Sequence, residues 1–327
     1  MKVNGFETNT LNASVSVVEN EDSKVYIMRN ETGEGIISIY EVLEDISLIF
    51  SDFHMNGVVS EDRRDIDCLA IDYCYEGRLE CSVDEGVFVY HKPGDISVDS
   101  RMKSADGYFF PLNHYHSLSI ALFLPKAQES IERCFPSFPV NLKKLRDKFL
   151  DHSYPCFIQN YTELNSIFES LRDVTMKNKS TYATIKILEL LLVLDSVEED
   201  ELLGVDEYSY FHKSDVEKVK LIQGLMVDDL EHHYTLNELS DEFKIPLTAM
   251  TSCFKGVYGK PVNTYMREYR MSYAAKELLL TELSIAEIGL KVGYSNPSKF
   301  SGAFRQIIGL LPKEYRKRNR NKHYEKG

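Results

Sequence analysis

The sequence predicts an α+β protein with two domains: an antiparallel β-barrel or sandwich with trailing helices, followed by an all-α domain. Three observations predict this class. The chain has 327 residues, a length typical of two domains rather than one. Its first part contains short runs of β-branched and aromatic residues between turn sequences. Its last third has apolar residues at helical spacing and contains an internal repeat.

The barrel is predicted over about 15–125. Its strand segments are rich in β-branched and aromatic residues and include 25–29, 36–40, 69–75, 87–90 and 119–124. Turn sequences such as Glu76-Gly77 and Pro93-Gly94-Asp95 separate them. Many short strands joined by turns are typical of small antiparallel barrels.

Helical spacing begins after Pro125, and helices are predicted within about 126–203, over 141–150, 161–176 and 181–194. These helices either pack on the barrel or pair with a second subunit, and we expect a homodimer. An acidic stretch then leads to a boundary near 203–214. The sequence therefore predicts a first domain over 1–212 and a second over 213–327.

The two predicted domains differ in charge. The whole chain carries a net charge of -13, but the part from Lys213 onward has +5 and the part before it -18. From Phe243 onward the net charge is +10. An acidic surface repels nucleic acid, so a surface that contacts DNA is expected in the last third.

The last third contains a repeat with an offset of 50 residues. The pattern Phe254-Lys255-x3-Gly259-x5-Tyr265 recurs as Phe304-Arg305-x3-Gly309-x5-Tyr315. Each copy follows a capping-box sequence, at Thr235 and Ser284, and a Pro that suits the start of a helix. The repeat predicts two helix-turn-helix units, at about 235–257 and 285–308, joined by one long helix over 263–280.

The sequences IAEIGLKVGYS at 285–295, FSGAFR at 300–305 and GLLPKEYR at 309–316 resemble the signature of the AraC/XylS family of transcription regulators. The resemblance covers roughly 216–318. It implies seven helices, with the second helix of each unit in the major groove of DNA. The segment 73–80 and the following Pro-Gly-Asp turn resemble the cupin-like sensor barrels of the same family. The implied function is that of a bacterial-type regulator, not an enzyme, which binds double-stranded promoter DNA.

The resemblance also implies site residues. Base-facing positions fall on the second helix of each unit, and the resemblance places Thr248, Thr251, Ser252, Pro297, Ser298 and Gly302 there. Lys299 is added because it lies on the same exposed helix face. Phosphate contacts are expected from Lys255, Arg305, Lys313 and Arg316. Family members usually carry Arg where this chain has Ser252 and Gly302, so recognition is expected to depend more on DNA shape or paired half-sites. The alternatives are that Thr248 and Thr251 are merely exposed, and that the basic C-terminal cluster is a solvated tail.

The first domain is expected to sense a signal. Tyr73, Tyr75, Phe88 and Tyr90 are the candidate ligand-binding residues for an unknown effector, with plain core packing as the alternative. A protein partner in place of a small molecule is the second alternative, and RNA polymerase is a further candidate partner.

A metal-dependent cupin enzyme with a DNA-binding tail is the third alternative. In a strand, His114 and His116 would share a face, as in a metal-binding H-x-H pair. No carboxylate follows at the expected spacing, and His54 and His91 are distant in sequence. We therefore expect no metal and no other cofactor. The six cysteines are expected to be reduced thiols, and the sequence has no secretory signal or membrane span, which predicts a cytoplasmic protein.

Overall fold

The computed structural model describes residues 2–3, 6–7, 13–21, 23–59, 67–84, 86–99, 107–150, 156–172, 179–198 and 210–324. The chain divides into two compact units, Met1–His212 and Lys213–Gly327. The first unit is rich in sheet and the second is helical, so the predicted α+β class is confirmed.

The first unit contains two large sheets in which every strand pair is antiparallel. An eight-stranded sheet has the order β14-β11-β8-β13-β6-β5-β4-β3, and a five-stranded sheet has the order β15-β10-β9-β12-β7. The strands are β1 (Lys2–Val3), β2 (Phe6–Glu7), β3 (Ser14–Glu19), β4 (Lys24–Asn30), β5 (Gly33–Leu43), β6 (Ile46–His54), β7 (Gly57–Val58), β8 (Cys68–Gly77), β9 (Leu79–Asp84), β10 (Val87–His91), β11 (Ile96–Asp99), β12 (Tyr108–Phe109), β13 (Tyr115–Phe123), β14 (Cys156–Ile158) and β15 (Phe211–His212).

The central strands β8 and β13 of the eight-stranded sheet are largely buried on both faces, whereas the edge strand β3 is mostly exposed. One face packs toward the smaller sheet through a cluster that includes Tyr26, Phe53, Val58, Phe110 and Tyr115. The other face packs against helices through a cluster that includes Ile71, Leu118, Phe149, Phe168 and Leu191. Burial on both faces explains why β8 reads as an almost continuous apolar run instead of an alternating one.

Four helices of the first unit follow the strands: α1 (Lys126–Cys134), α2 (Leu142–Leu150), α3 (Thr162–Arg172) and α4 (Lys179–Ser196). The three helices predicted from apolar spacing are confirmed as α2, α3 and α4, and residues 173–176 lie outside the described part. Helix α1 lies within the predicted helical range 126–203 but was not delimited from the sequence, and strand β6 was not among the named segments. The cupin-like relationship of this unit stays a prediction.

Seven helices make up the described part of the second unit: α5 (Lys213–Asp228), α6 (Leu236–Phe243), α7 (Leu247–Tyr258), α8 (Val262–Leu280), α9 (Ile285–Lys291), α10 (Pro297–Ile308) and α11 (Pro312–Tyr324). Two helix pairs, α6–α7 and α9–α10, stand on either side of the long helix α8, as the repeat predicts.

The repeated residues perform the same task in each copy. Phe254 and Phe304 are fully buried, and their rings pack edge to face against Tyr265 and Tyr315, with centroids 5.4 and 5.6 Å apart. Gly259 and Gly309 end α7 and α10 with φ of 77° and 85°, a conformation that glycine adopts without a Cβ clash.

Candidate nucleic-acid interface

The first helix of each helix-turn-helix unit begins at a complete capping box. In the first helix-turn-helix unit, Thr235 Oγ1 accepts a hydrogen bond from the Glu238 amide at 3.2 Å, and the Glu238 carboxylate accepts one from the Thr235 amide at 2.7 Å. Ser284 and Glu287 make the same pair of bonds at the same distances. These bonds satisfy amides that a helix N-terminus otherwise leaves unpaired, so both predicted caps are confirmed.

The second helix of each helix-turn-helix unit, α7 or α10, buries one face and exposes the other. In α7, Met250, Cys253 and Phe254 are buried, whereas Thr248 and Ser252 are exposed. In α10, Phe300 and Phe304 are buried. The exposed face of α10 carries Pro297, Ser298, Lys299, Gly302 and Arg305. A Cβ added at Gly302 would meet nothing within 4 Å, so this position opens to solvent.

Thr251 differs from its neighbours on α7. It is half-buried, and its hydroxyl donates to the carbonyl oxygen of Leu247 at 2.9 Å. This back-bond uses the only hydroxyl proton, which leaves an oxygen lone pair and a methyl group for any further contact. Thr248 and Ser252 therefore carry the free hydroxyl donors of this helix face.

Asn296 is a positioning residue that the sequence reasoning missed. Its side-chain oxygen accepts hydrogen bonds from the amides of Ser298 and Lys299 at 2.9 and 3.1 Å. The bonds fix the first turn of α10, where these two side chains are exposed. The available signal was an Asn directly before the Pro at the first helical position.

The cations expected to contact phosphate divide into two groups. Lys255, Arg305 and Lys313 are exposed. Arg316 is half-buried, and its guanidinium donates to the carbonyl oxygens of Leu278 and Leu283 at 3.2 and 2.5 Å. Arg316 thus joins α11 to the end of α8, a role for which the sequence carried no signal.

Helix α8 is fixed to the segment that precedes the first helix-turn-helix unit. Arg270 is 8% exposed, and its guanidinium donates to the carbonyl oxygens of Leu230 and His232 at 3.1 and 2.8 Å. Burial lowers the pKa of Arg270, although a guanidinium stays charged at neutral pH. Charged hydrogen bonds of this kind are stronger than neutral ones, so they hold α8 firmly against residues 230–232.

In the first unit, the four candidate ligand residues lie in two separate places. Tyr73 stacks on Phe168 of α3 with centroids 4.9 Å apart, and Tyr75 donates to the Phe168 carbonyl at 2.7 Å. Burial, followed by the nearby Glu169, raises the pKa of Tyr73 to about 12. Phe88 and Tyr90 belong to the smaller sheet. The structure does not bring the four residues around one pocket.

Tyr90 donates to the carboxylate of Glu80 at 2.7 Å. A separate groove of about 620 Å³ is lined by other residues of this unit, among them Ser14, Arg29, Asn30, Thr32, Asn56 and Phe109.

The histidines also differ from the expected arrangement. The rings of His114 and His116 are 6.4 Å apart, and His114 Nδ1 bonds to the carbonyl oxygen of Leu112 at 3.0 Å. His54 is closer to His116, with ring centroids 5.3 Å apart. His91 is buried beside Tyr115 in the core between the sheets.

Across the described residues, no helix combines the length and apolar character that a membrane crossing requires.

A family model described as a helix-turn-helix domain matches residues 239–318. The HTH-type transcriptional regulator ExsA of Pseudomonas aeruginosa is 29% identical over 134 residues, which cover 41% of this chain and 47% of that protein. The melibiose operon regulatory protein of Escherichia coli is 24% identical over 160 residues, which cover 47% of this chain and 50% of that protein.

A putative AraC-like transcription regulator of Streptomyces lividans is 29% identical over 89 residues, which cover 27% of this chain and 29% of that protein. This chain thus spans half or less of the length of each of these relatives. These matches confirm the resemblance that the repeat carries: the helical part of the chain contains an AraC-type helix-turn-helix domain.

Proposed function

We propose that this chain is a transcription regulator, not an enzyme, that binds promoter DNA with helices α7 and α10. The observation that carries the proposal is the matched pair of exposed helix faces, each backed by a buried Phe of the same repeat. The proposal is supported by the net charge of +10 from Phe243 onward. It is also supported by the relatives, which are named as transcription regulators.

The dimensions of the second unit suit this role. A major groove admits one α-helix, and successive major grooves on one face of the duplex are about 34 Å apart. Helix α8 has 19 residues and joins the two helix pairs. At 1.5 Å per residue it spans roughly 28 Å, a length comparable to one turn of DNA.

In this proposal, Lys255, Arg305 and Lys313 contact phosphates. Base edges meet Thr248, Ser252, Ser298 and Lys299, with Thr251, Pro297 and Gly302 close to the bases. Short hydroxyl side chains can contact bases or phosphates, and Ser252 and Gly302 provide no guanidinium for guanine. Direct readout is therefore weak, and DNA shape supplies part of the specificity.

The first unit is assigned to signal sensing and self-association. The solvent face of α4 carries Ile185, Glu189 and Leu192, where Ile185 and Leu192 are 55% and 44% exposed. These positions lie four and seven residues apart, so they form one stripe on the helix. A second copy of this stripe would cover it in a homodimer. A small effector or a protein partner then acts on this unit in the cytoplasm, and RNA polymerase contacts the regulator at a promoter.

The test is selection of bound duplexes from a random pool by the full chain, followed by affinity measurements. We expect an enriched motif and at least tenfold tighter binding to it than to scrambled DNA. Charge reversal of Lys299 and Arg305 to Glu should abolish binding. Lys144→Glu on the exposed surface of α2 is the matched control and should bind as the parent does. No enriched motif, or equal loss in both variants, would contradict the proposal.

A further inference from the structure

We propose that Asp52, His54 and His116 form a binding site for a divalent transition-metal ion on the first unit. One ligand atom from each of the three side chains, a carboxylate oxygen and two imidazole nitrogens, lies within 4.8 Å of the other two. The carboxylate oxygen is 3.0 Å from His54 Nε2 and 2.9 Å from His116 Nε2. We call these three residues the His–Asp cluster. The inference is independent of the DNA-binding proposal.

The sheet itself brings the His–Asp cluster together. Strands β6 and β13 are neighbours near the centre of the eight-stranded sheet, and His116 pairs directly with Asp52 in their register. Asp52 and His54 are two residues apart on β6, so they lie on the same face. The alternating residues Phe53 and Tyr115 are buried in the core between the sheets. This core holds the backbone under the cluster in place.

A carboxylate stands behind one of the two imidazoles. Glu76 on β8 pairs with His116 in the strand register, and its Oε2 is 3.9 Å from His116 Nδ1. The other oxygen of Glu76 is 3.5 Å from the guanidinium of Arg172. A carboxylate facing Nδ1 favours a proton on that nitrogen, which directs the Nε2 lone pair toward a metal. Metal-binding histidines usually donate a hydrogen bond to a carboxylate or carbonyl on this side, and at 3.9 Å Glu76 acts through its charge and not through a hydrogen bond.

His116 Nε2 supplies a further observation. The atom is buried and makes no hydrogen bond of acceptable geometry, although Asp52 Oδ1 is only 2.9 Å away. The nitrogen therefore points past the oxygen rather than at it. A buried polar atom without a partner is costly, and a cation held by the three ligand atoms would remove that cost.

The donor set selects the class of ion. Two imidazoles with one carboxylate suit Zn²⁺, Ni²⁺ or Co²⁺, whereas Mg²⁺ and Ca²⁺ prefer oxygen ligands alone. Three protein ligands leave a position for water or for a ligand from a partner. The ion would tie β6 to β13, so metal availability is a candidate signal for this unit. The sequence analysis considered His114 as the metal-binding partner of His116, but the sheet register places His54 beside His116 instead.

The experiment uses the full chain after dialysis against a chelator. Zn²⁺ binding is measured by calorimetry, and Co²⁺ binding by the visible absorption of the bound ion. We expect one ion per chain. His54→Ala and His116→Ala should each weaken binding by about 100-fold or more, and Glu76→Gln by about tenfold. Asp52→Asn, which keeps the size of the side chain, should also weaken binding.

His114→Ala is the matched control, because this neighbouring His lies outside the cluster and should leave binding unchanged. Circular dichroism of each variant without metal checks that it folds. The proposal is overturned if the parent does not bind either ion, or if His54→Ala and His116→Ala bind as the parent does. A sulfur-to-cobalt charge-transfer band would place the ion on cysteine and would also overturn it.

Discussion

His233 Nε2 donates a hydrogen bond to the carbonyl oxygen of Gly293 at 2.8 Å. The contact joins the segment before the first helix-turn-helix unit to the turn inside the second. Gly293 has φ of +81°, and a Cβ there would lie 2.6 Å from His233 Nε2 and 2.8 Å from the Leu230 carbonyl oxygen. Only glycine therefore fits at this turn.

We predict that Gly293→Ala lowers the free energy of unfolding of the full chain by about 1–3 kcal/mol, because it combines backbone strain with crowding. Gly309→Ala is the matched control, since Gly309 has φ of +85° but nothing within 4 Å of an added Cβ. Urea denaturation measures both variants. An equal loss of unfolding free energy in the two variants would mean that the His233 side chain moves aside at Gly293→Ala without destabilising the fold.

Arg316→Lys separates the two roles considered for that residue. Lysine keeps the charge for a phosphate contact but cannot donate to the Leu278 and Leu283 carbonyls in the same fork. We expect the variant to be destabilised by about 1.5–3 kcal/mol, the range for hydrogen bonds to a charged group. Thermal unfolding is the measurement. A variant as stable as the parent but weaker in DNA affinity would restore the phosphate role.

The capping boxes predict a pH dependence. Hydrogen bonds from Thr235, chiefly from its backbone, lower the pKa of Glu238, and hydrogen bonds from Ser284, chiefly from its side chain, lower the pKa of Glu287. A carboxylate whose pKa is lowered by folding stabilises the fold at pH values above its ordinary pKa of about 4.3. This stabilisation is lost as the pH falls through the lowered pKa. Stability should therefore fall more steeply with acid in the parent than in Glu238→Gln/Glu287→Gln, measured by unfolding midpoints across a pH series.

Thr235→Ala tests one cap directly. Loss of the Thr hydroxyl from an N-cap typically costs about 1 kcal/mol. Thr264→Ala, at an exposed position inside α8, serves as the comparison and should be nearly neutral. Denaturant unfolding that shows no difference between the two would contradict a stabilising cap.

The DNA contacts predict two kinds of variant. Lys255→Ala and Arg305→Ala should weaken binding to selected and scrambled DNA alike. Each should also lower the magnitude of the slope of log binding constant against log salt concentration by about 1. Ser298→Ala and Thr251→Ala should mainly lower the ratio of the two affinities, by less than the 1–3 kcal/mol typical of a bidentate Arg contact, about tenfold or less. Titrations across a salt series measure both. An unchanged ratio would favour shape readout alone.

The α4 stripe predicts the oligomeric state. Ile185→Glu/Leu192→Glu should convert the full chain from dimer to monomer in sedimentation equilibrium at micromolar concentration. Leu221 is 63% exposed on α5, so Leu221→Glu places the same charge on another exposed apolar site. This control should stay dimeric. A parent that is already monomeric would contradict self-association through α4.

The helical unit could be predicted from the sequence because its signals are local. Capping boxes, the Pro before each second helix and the C-terminal glycines lie within a few residues of the groups they affect. The 50-residue offset then showed which residues correspond. The sequence did not reveal the roles of Arg270 and Arg316, because their carbonyl partners lie 33–40 residues away.

The first unit was harder to predict for the same reason. Strand segments are visible as β-branched runs, but their order in the sheet is not. The eight-stranded sheet places β13 between β8 and β6, and only this register joins His116 to Asp52 and His54. Similarly, Tyr73 and Tyr75 belong to the face that α3 covers, which their alternation alone does not show.

The attachment of α8 to residues 230–232 has a mechanical consequence. An uninterrupted helix braced by Arg270 gives the two recognition helices a fixed angular phase and a fixed separation. When both enter one duplex, the DNA has to supply any adjustment in twist or curvature. Sites with easily kinked TA or CA steps between the two contacted regions are then favoured energetically, although no side chain touches them.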